Sequence, residues 1–390
     1  MNTPRDHKRP LRVAQIGPWP SPWGGISVYV QRLARTLAAD GVEVVVLDTQ
    51  EHQLTDASGV EVVPLPNGKD QSLRAARIIA ARGCDVAHLH LIGFPWKAVV
   101  PFVVACEAVG VPLVVSVHSF RVEGVPQPSA SQRLLLRAAA KRLPMAFASG
   151  EHVAERLLAH GAPKVEAVAP FVPPIPAEPR DARLPAALRE FCARHQLVVA
   201  AGAAALTQTP TGEDLYGFDT FVATASRVAT ARPDVGFVFQ LPRRGDQGLF
   251  DAAMARAGAL GDRLLIHQEP LEEGSDLWAV ADVFIRPTRS DGDSVSVREA
   301  LSLGTPCLTT DVVHRPEGVY LYPTGDADAA ATLLDEMLSD LPAAQARTRK
   351  AEQPSGATRV HQVLREVAAG RSMTSRALRG AQGLLWRALD

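Results

Sequence analysis

The sequence predicts an α/β chain built from two Rossmann-like, doubly wound domains that face each other across a cleft. Three observations carry this. Short β-branched runs alternate with helical patterns from end to end. A proline-rich break divides the alternation into two similar halves. The length of 390 residues exceeds one ordinary core and suits two.

In the first half, Leu11–Ile16, Glu43–Leu47, Asp85–Leu91, Pro112–Val117 and Pro144–Ala148 read as buried parallel strands. Helices fall between them at Gly25–Ala39, Ser72–Arg82, Trp96–Val109 and Ser131–Arg142. Pro170–Pro179 holds five prolines, which excludes regular helix and central strand and marks a linker. The alternation then resumes with strands at Leu197–Ala201, Val235–Leu241, Leu264–His267, Asp282–Ile285, Pro306–Leu308 and Val319–Tyr322. Helices fall near Gly217–Thr230, Leu249–Ala259, Ser294–Leu303 and Asp326–Leu338. The expected domains are residues 1–170, a linker at 171–182, a second domain at 183–355, and closing helices at 356–390 placed to cross back to the first domain.

Composition narrows the function. Apolar residues make up 46% and charged residues 21%, enough to fill two cores. The net charge of −1 gives no support for a nucleic-acid partner. Cys84, Cys106, Cys192 and Cys307 are widely spaced, so we expect reduced thiols in a cytoplasmic protein. The first ten residues are polar and basic, so no signal peptide is expected. Ala98–Val117 is the most apolar stretch, but Glu107, Pro101 and Pro112 interrupt it, and it reads as helix then strand. The segment Arg371–Asp390 has four arginines and an apolar set of Leu378, Leu384, Leu385, Trp386 and Leu389. It reads as a closing helix or as an interfacial helix on an anionic membrane, which would put the protein at the inner face of the cell membrane.

The segment from Arg286 to Pro306 carries the most chemistry. A strand ends near Arg286, and a polar loop follows with Asp291, Gly292 and Asp293. Asp293 or Ser294 caps a helix starting about Val295 and containing Arg298 and Glu299. Backbone N–H groups and the positive helix end then make an anion site for a diphosphate. Glu299, about one and a half turns in, is placed to accept hydrogen bonds from ribose hydroxyls. Asp291 lies nearer a transferred sugar.

Asp291, Glu299 and the following Ala300-Leu-Ser-Leu-Gly-Thr-Pro306 resemble the signature of the retaining glycosyltransferases of family 4, which have the GT-B fold. That family has glutamate at both acid positions; Asp291 is one methylene shorter. The amino-terminal half is similar to the same family. Gly24 and Gly25, between the first strand and first helix, resemble its glycine pair beside the donor phosphates. His118 matches a histidine near the transferred sugar, and Asp85-Val-Ala-His-Leu-His90 resembles its Asp-x-x-His-x-His run. His88 and His90 share one strand face, and we place His90 at the acceptor. Trp19 and Trp23 either stack on an acceptor sugar or pack at the domain edge. Ser149 matches a serine that caps the next helix. Val312-Val-His-Arg-Pro-Glu317 resembles the loop before the last strand, where Glu317 is structural.

One departure matters. Gly202-Ala203 and Tyr216-Gly217 stand where the family has Gly-Arg and Lys-Gly, so both cations that neutralise the diphosphate are missing. A buried diphosphate without a cation is costly. Either Arg286, Arg289 or Arg298 replaces them, or Arg243 and Arg244 do, or catalysis has been lost. The resemblance implies sugar transfer from a nucleotide-diphosphate sugar with retained configuration. It implies no metal or other cofactor, and a glycan or lipid-linked glycan acceptor in surface polysaccharide synthesis. The competing reading is a non-catalytic glycan- or nucleotide-binding protein of the same fold. Gly17-Pro-Trp-Pro after the first strand lacks the Gly-x-Gly-x-x-Gly of a hydride-transferring Rossmann enzyme.

Overall fold

The computed structural model describes residues 9–20, 24–56, 58–120, 128–258, 260–291 and 293–370. The chain divides into two compact units. One comprises Met1–Val172 with Ser355–Asp390, and the other Pro173–Pro354.

The first unit is an eight-stranded sheet in the order β3-β4-β2-β1-β5-β6-β7-β8. Its strands are β1 (Arg12–Gly17), β2 (Glu43–Asp48), β3 (Leu54–Thr55), β4 (Glu61–Pro64), β5 (Val86–Ile92), β6 (Leu113–Ser119), β7 (Ala146–Ala148) and β8 (Val165–Ala167). All pairings are parallel except β3 with β4. The crossovers are α1 (Gly25–Ala39), α2 (Gln71–Ala81), α3 (Trp96–Ala108), α4 (Ala130–Ala140) and α5 (Glu151–Ala159). Runs such as Glu43-Val-Val-Val-Leu-Asp48 become central strands because both faces are covered. Alternate residues of β1 show this: Ala14 and Ile16 pack into one buried cluster, and Val13 into another on the opposite face.

The second unit is a six-stranded, all-parallel sheet in the order β11-β10-β9-β12-β13-β14. Its strands are β9 (Leu197–Gly202), β10 (Val235–Gln240), β11 (Leu264–His267), β12 (Val283–Arg286), β13 (Cys307–Thr310) and β14 (Tyr320–Tyr322). Its helices are α6 (Ala186–Arg194), α7 (Phe218–Ala231), α8 (Gln247–Met254), α9 (Ser275–Val280), α10 (Val295–Ser302), α11 (Ala327–Ser339) and α12 (Leu341–Lys350). The sequence pattern does not signal β3, β4, β8 or α9, which are short, or α6 and α12, which are as long as α8 but more polar. After α12 the chain returns as α13 (Gly356–Ala369), whose Val360, Val363 and Leu364 cover the first sheet together with α1. The Gly356 N–H donates to the Phe171 carbonyl at 3.0 Å, and Arg359 grips Glu166 through two bonds of 2.6 and 2.8 Å.

Each sheet has one switch point, where successive crossovers leave in opposite directions: β1/β5 in the first unit, β9/β12 in the second. In such sheets ligands sit beyond the strand carboxyl ends at that point. No helix among the described residues is long and apolar enough to cross a membrane. The segment 371–390, proposed from sequence as a closing or interfacial helix, lies outside the described residues. All four cysteines are free thiols.

Gly217 locks the second switch point. Its φ is +67°, and a Cβ there would lie 1.9 Å from the Pro287 carbonyl oxygen. The left-handed backbone and the close approach both exclude a side chain. Gly217→Ala is expected to destabilise the protein by about 2 kcal/mol or more in urea unfolding; an unchanged midpoint would contradict this packing.

Candidate active site

At the second switch point, β12 ends in Arg286 and its loop turns back so that Asp291 meets that arginine. Arg286 Nε and Nη2 donate to the two Asp291 oxygens at 3.1 and 3.2 Å. Arg315, in the loop after β13, donates from Nη1 to Asp291 Oδ2 at 2.8 Å. The Arg315 side chain is 1% exposed, held also by the Thr310 carbonyl and the Thr288 and Thr310 hydroxyls. Burial alone would raise the Asp291 pKa. The charges and hydrogen bonds of Arg286 and Arg315 reverse that and hold it down, from 3.8 to about 2. Two guanidiniums against one carboxylate leave one excess positive charge at the strand ends.

Arg286 also touches Gly202, which precedes the Ala203 position of one missing family cation, and Tyr216, the position of the other. Its Nη1 lies 3.5 Å from the Gly202 carbonyl, and its guanidinium sits over the Tyr216 ring at 5.6 Å. Beside it, α10 begins without a side-chain cap. The starts of α8, α11 and α12 are capped by Asp246, Asp326 and Asp340, while those of α6, α7 and α9, like that of α10, have no side-chain cap. The first-turn N–H groups of α10 therefore have no side-chain acceptor among the described residues. Glu299 is buried and accepts from Trp278 Nε1 at 3.2 Å. That indole also packs where a Cβ on Gly202 would fall, at 3.1 Å.

Several sequence expectations change here. Arg289 is bound through two nitrogens to Asp219, at 2.7 and 2.8 Å, and to the Asp214 carbonyl. It pins the 204–217 loop and has no charge to spare. Arg298 pairs with Asp293 at 2.6 Å, so neither is a free donor ligand. Ser294 occupies the N-cap position of α10, but its hydroxyl contacts Ser296 rather than the helix N–H groups, and Val295 is the first helical residue. Arg243 is exposed just past β10 and makes no ion pair among the described residues. Gly292 lies outside the described residues. Arg315, which the sequence reading passed over, is the addition.

In the first unit, His118 lies near the end of β6, half-buried, beside the β1/β5 switch point. Its Nε2 is 3.2 Å from His90 Nδ1, and His90 Nε2 bonds Gln15 Oε1. With the Gln15 oxygen as acceptor, His90 carries its proton on Nε2 and accepts from His118 Nε2–H. His118 then presents Nδ1 as an acceptor. Burial holds the His118 pKa down to about 4, so the ring is neutral at pH 7. Tyr29 stands edge-on to it, with centroids 5.1 Å apart. His90 itself is 5% exposed and orients His118 instead of meeting an acceptor directly. His88 is fully buried against Ser116 at 2.7 Å.

Trp19 is corrected from acceptor platform to core residue. It is 3% exposed, and its backbone N–H donates to the buried Asp48 carboxylate at 2.6 Å. Trp23 lies outside the described residues. Ser149 does not cap α5, which starts from Gly150 without a side-chain cap. Gly24 and Gly25 are exposed at the start of α1, and a Cβ on Gly25 would meet nothing within 4 Å. Nothing in the packing requires glycine at Gly25. Among the described residues, no three His, Cys, Asp or Glu side chains are grouped to hold a metal ion.

Two pH effects follow. Asp291 has a folded pKa below its unfolded one, so it stabilises the fold above about pH 4, and on the order of 2 kcal/mol is lost as pH falls towards 2. Asp291→Asn should cost about that much at pH 7, because Arg286 and Arg315 are left facing each other, and should flatten the acid limb below pH 4. His118 is also depressed, from 6.5 to about 4, so its contribution is complete above about pH 6.5 and declines as pH falls from there. His118→Asn should flatten melting temperature against pH between 6.5 and 4; an unchanged curve would mean the ring titrates normally.

The sequence matches two family models: a glycosyl transferase 4-like domain over residues 24–171 and a glycosyl transferases group 1 domain over residues 213–340. A comparison with curated proteins finds no match. Among solved structures, the chain is similar to a glycosyltransferase from Rickettsia africae, with 13% identity and a TM-score of 0.66 over 93% of this chain and 100% of that one. It is similar to Anabaena Alr3699/HepE in complex with UDP, with 14% identity and a TM-score of 0.61 over 92% and 100%. It is also similar to a sucrose-phosphate synthase from Thermosynechococcus elongatus, with 16% identity and a TM-score of 0.59 over 97% and 99%. These likenesses establish the fold. The two domain matches, with the Asp291–Glu299 signature, show that the chain is a glycosyltransferase of family 4, here with the GT-B fold of these neighbours.

Proposed function

We propose that the protein transfers a sugar from a nucleotide-diphosphate sugar, with retained anomeric configuration, to a glycan or lipid-linked glycan. The observation that carries this is Arg286, which lies against Gly202, next to one position that lacks a family cation, and against Tyr216, the other, and shares Asp291 with the buried Arg315. The donor diphosphate takes the excess positive charge and the uncapped N–H groups of α10. Glu299 binds the ribose. Asp291 is a positioning residue that holds the two guanidiniums. No metal is needed in this reading, because Arg286 and Arg315 supply the cationic charge. UDP, which the Anabaena neighbour holds, is the first nucleotide to test.

The reaction is a front-face displacement. The acceptor oxygen bonds to the sugar C1 on the face that the diphosphate leaves. The C1–O bond to the diphosphate breaks, its electron pair stays on phosphate, and a phosphate oxygen takes the acceptor proton. The arginines stabilise the growing charge. His118 Nδ1 accepts a sugar hydroxyl, and backbone at Gly24 and Gly25 approaches the ligand closely. A surface polysaccharide as product, and a cytoplasmic location, rest on the family alone.

A thermal-shift screen with UDP, GDP and ADP tests donor binding. The correct diphosphate at 100 times its Kd should stabilise by about 2.7 kcal/mol, and Glu299→Ala should abolish the shift. Gly25→Ala should leave the melting point unchanged and lower transfer at least about tenfold, since an added methyl would fill the ligand's space. NMR of the product should show the donor's anomeric configuration, with EDTA present. Binding without turnover would leave the binding-only reading; no shift with any diphosphate would remove the donor site.

A further inference from the structure

The outward face of α4 joins exposed leucines to concentrated positive charge. Leu134 is 70% exposed and Leu135 52%, while Leu136, Ala139 and Ala140 on the opposite side are buried. At the helical period, Leu134, Ala138 and Lys141 point most directly away from that buried stripe. Arg133 and Arg137 flank them on one side, Leu135 and Arg142 on the other. All four cations are exposed, and no Asp or Glu occurs between residues 128 and 142, although the whole chain carries −1. Arg142 pairs with Glu107, but Arg137 and Lys141 make no ion pair among the described residues. Arg156 of α5 adds charge nearby: burial, then Arg137 and Arg156, lower the pKa of His160.

A single exposed leucine is ordinary. Two leucines set among cations, on a helix that carries no carboxylate of its own, match an anionic lipid surface, where apolar side chains enter the headgroup boundary and cations meet phosphates. We infer that α4 docks on an anionic membrane surface through Leu134, Leu135 and the cations around them. The helix is the crossover between parallel strands β6 and β7, so its first turn lies on the sheet's carboxyl side, where β6 carries His118. Docking brings that edge to the lipid, which suits a lipid-linked acceptor if the proposed reaction holds. The surface itself does not depend on the donor chemistry.

The test is co-sedimentation of the full chain with vesicles of phosphatidylcholine, with and without phosphatidylglycerol. Wild type should bind the anionic vesicles, less so in high salt, and the neutral ones weakly. Each cation near the surface contributes about fivefold, so Arg137→Glu with Lys141→Glu should weaken binding at least about 25-fold. Leu134→Glu with Leu135→Glu should weaken it at least about tenfold. Both variants should melt as wild type does, because the altered side chains are exposed. Equal binding to neutral vesicles, or none to anionic ones, overturns the inference. So do variants that bind as well as wild type, which would place the contact elsewhere, for example in residues 371–390. A dimer in analytical ultracentrifugation that only the leucine variant loses, without vesicle binding, would assign the face to a second copy.

Discussion

A carboxylate buried between two guanidiniums sets the chemistry of the second unit. Asp291 could not stay ionised at that depth without Arg286 and Arg315, and neither arginine would sit there without it. The cluster is possible because β12 and β13 are neighbours, so the loops after them meet. It fixes the turn that leads into α10, and so the direction of that helix's first N–H groups. Its net charge is positive, which is what a diphosphate requires.

Much of the fold was legible because both sheets are parallel and covered on both faces, which makes strands continuous apolar runs and helices regular crossovers. Gly25–Ala39 and Leu264–His267 occur as the pattern implies. The pattern was silent where an element is too short to show a period or, as in α6 and α12, too polar to show an apolar stripe. Leu54–Thr55 is two exposed residues, and Ser275–Val280 is under two turns and follows a Glu-Glu-Gly run. That last helix carries Trp278, the partner of Glu299, so half of that pair was invisible.

The site was legible where chemistry lies close in sequence. Arg286, Asp291, the start of α10 and Glu299 fall within fourteen residues of one another. Arg315 was not, because it meets Asp291 only through strand order, and its loop has no periodic signal. Arg289 and Arg298 looked equivalent to Arg286 in sequence. Their fates were decided by Asp219 and Asp293, one distant and one adjacent. For Trp19 the pattern allowed either stacking on a sugar or packing, and Asp48 at the end of β2 holds its backbone so that it packs. The His88 and His90 spacing gave a shared strand face, not that His90 would be enclosed between Gln15 and His118.

We propose that Arg286 and Arg315 together replace the absent family cations. Isothermal titration of nucleoside diphosphate and nucleoside monophosphate into wild type and Arg315→Gln is the test of this replacement. Wild type should prefer the diphosphate by roughly tenfold or more, as expected when the second phosphate adds negative charge beside the excess positive charge of the cluster. The variant should lose that preference while keeping its affinity for the monophosphate. An undiminished preference in Arg315→Gln would contradict the claim and return the second phosphate to other cations.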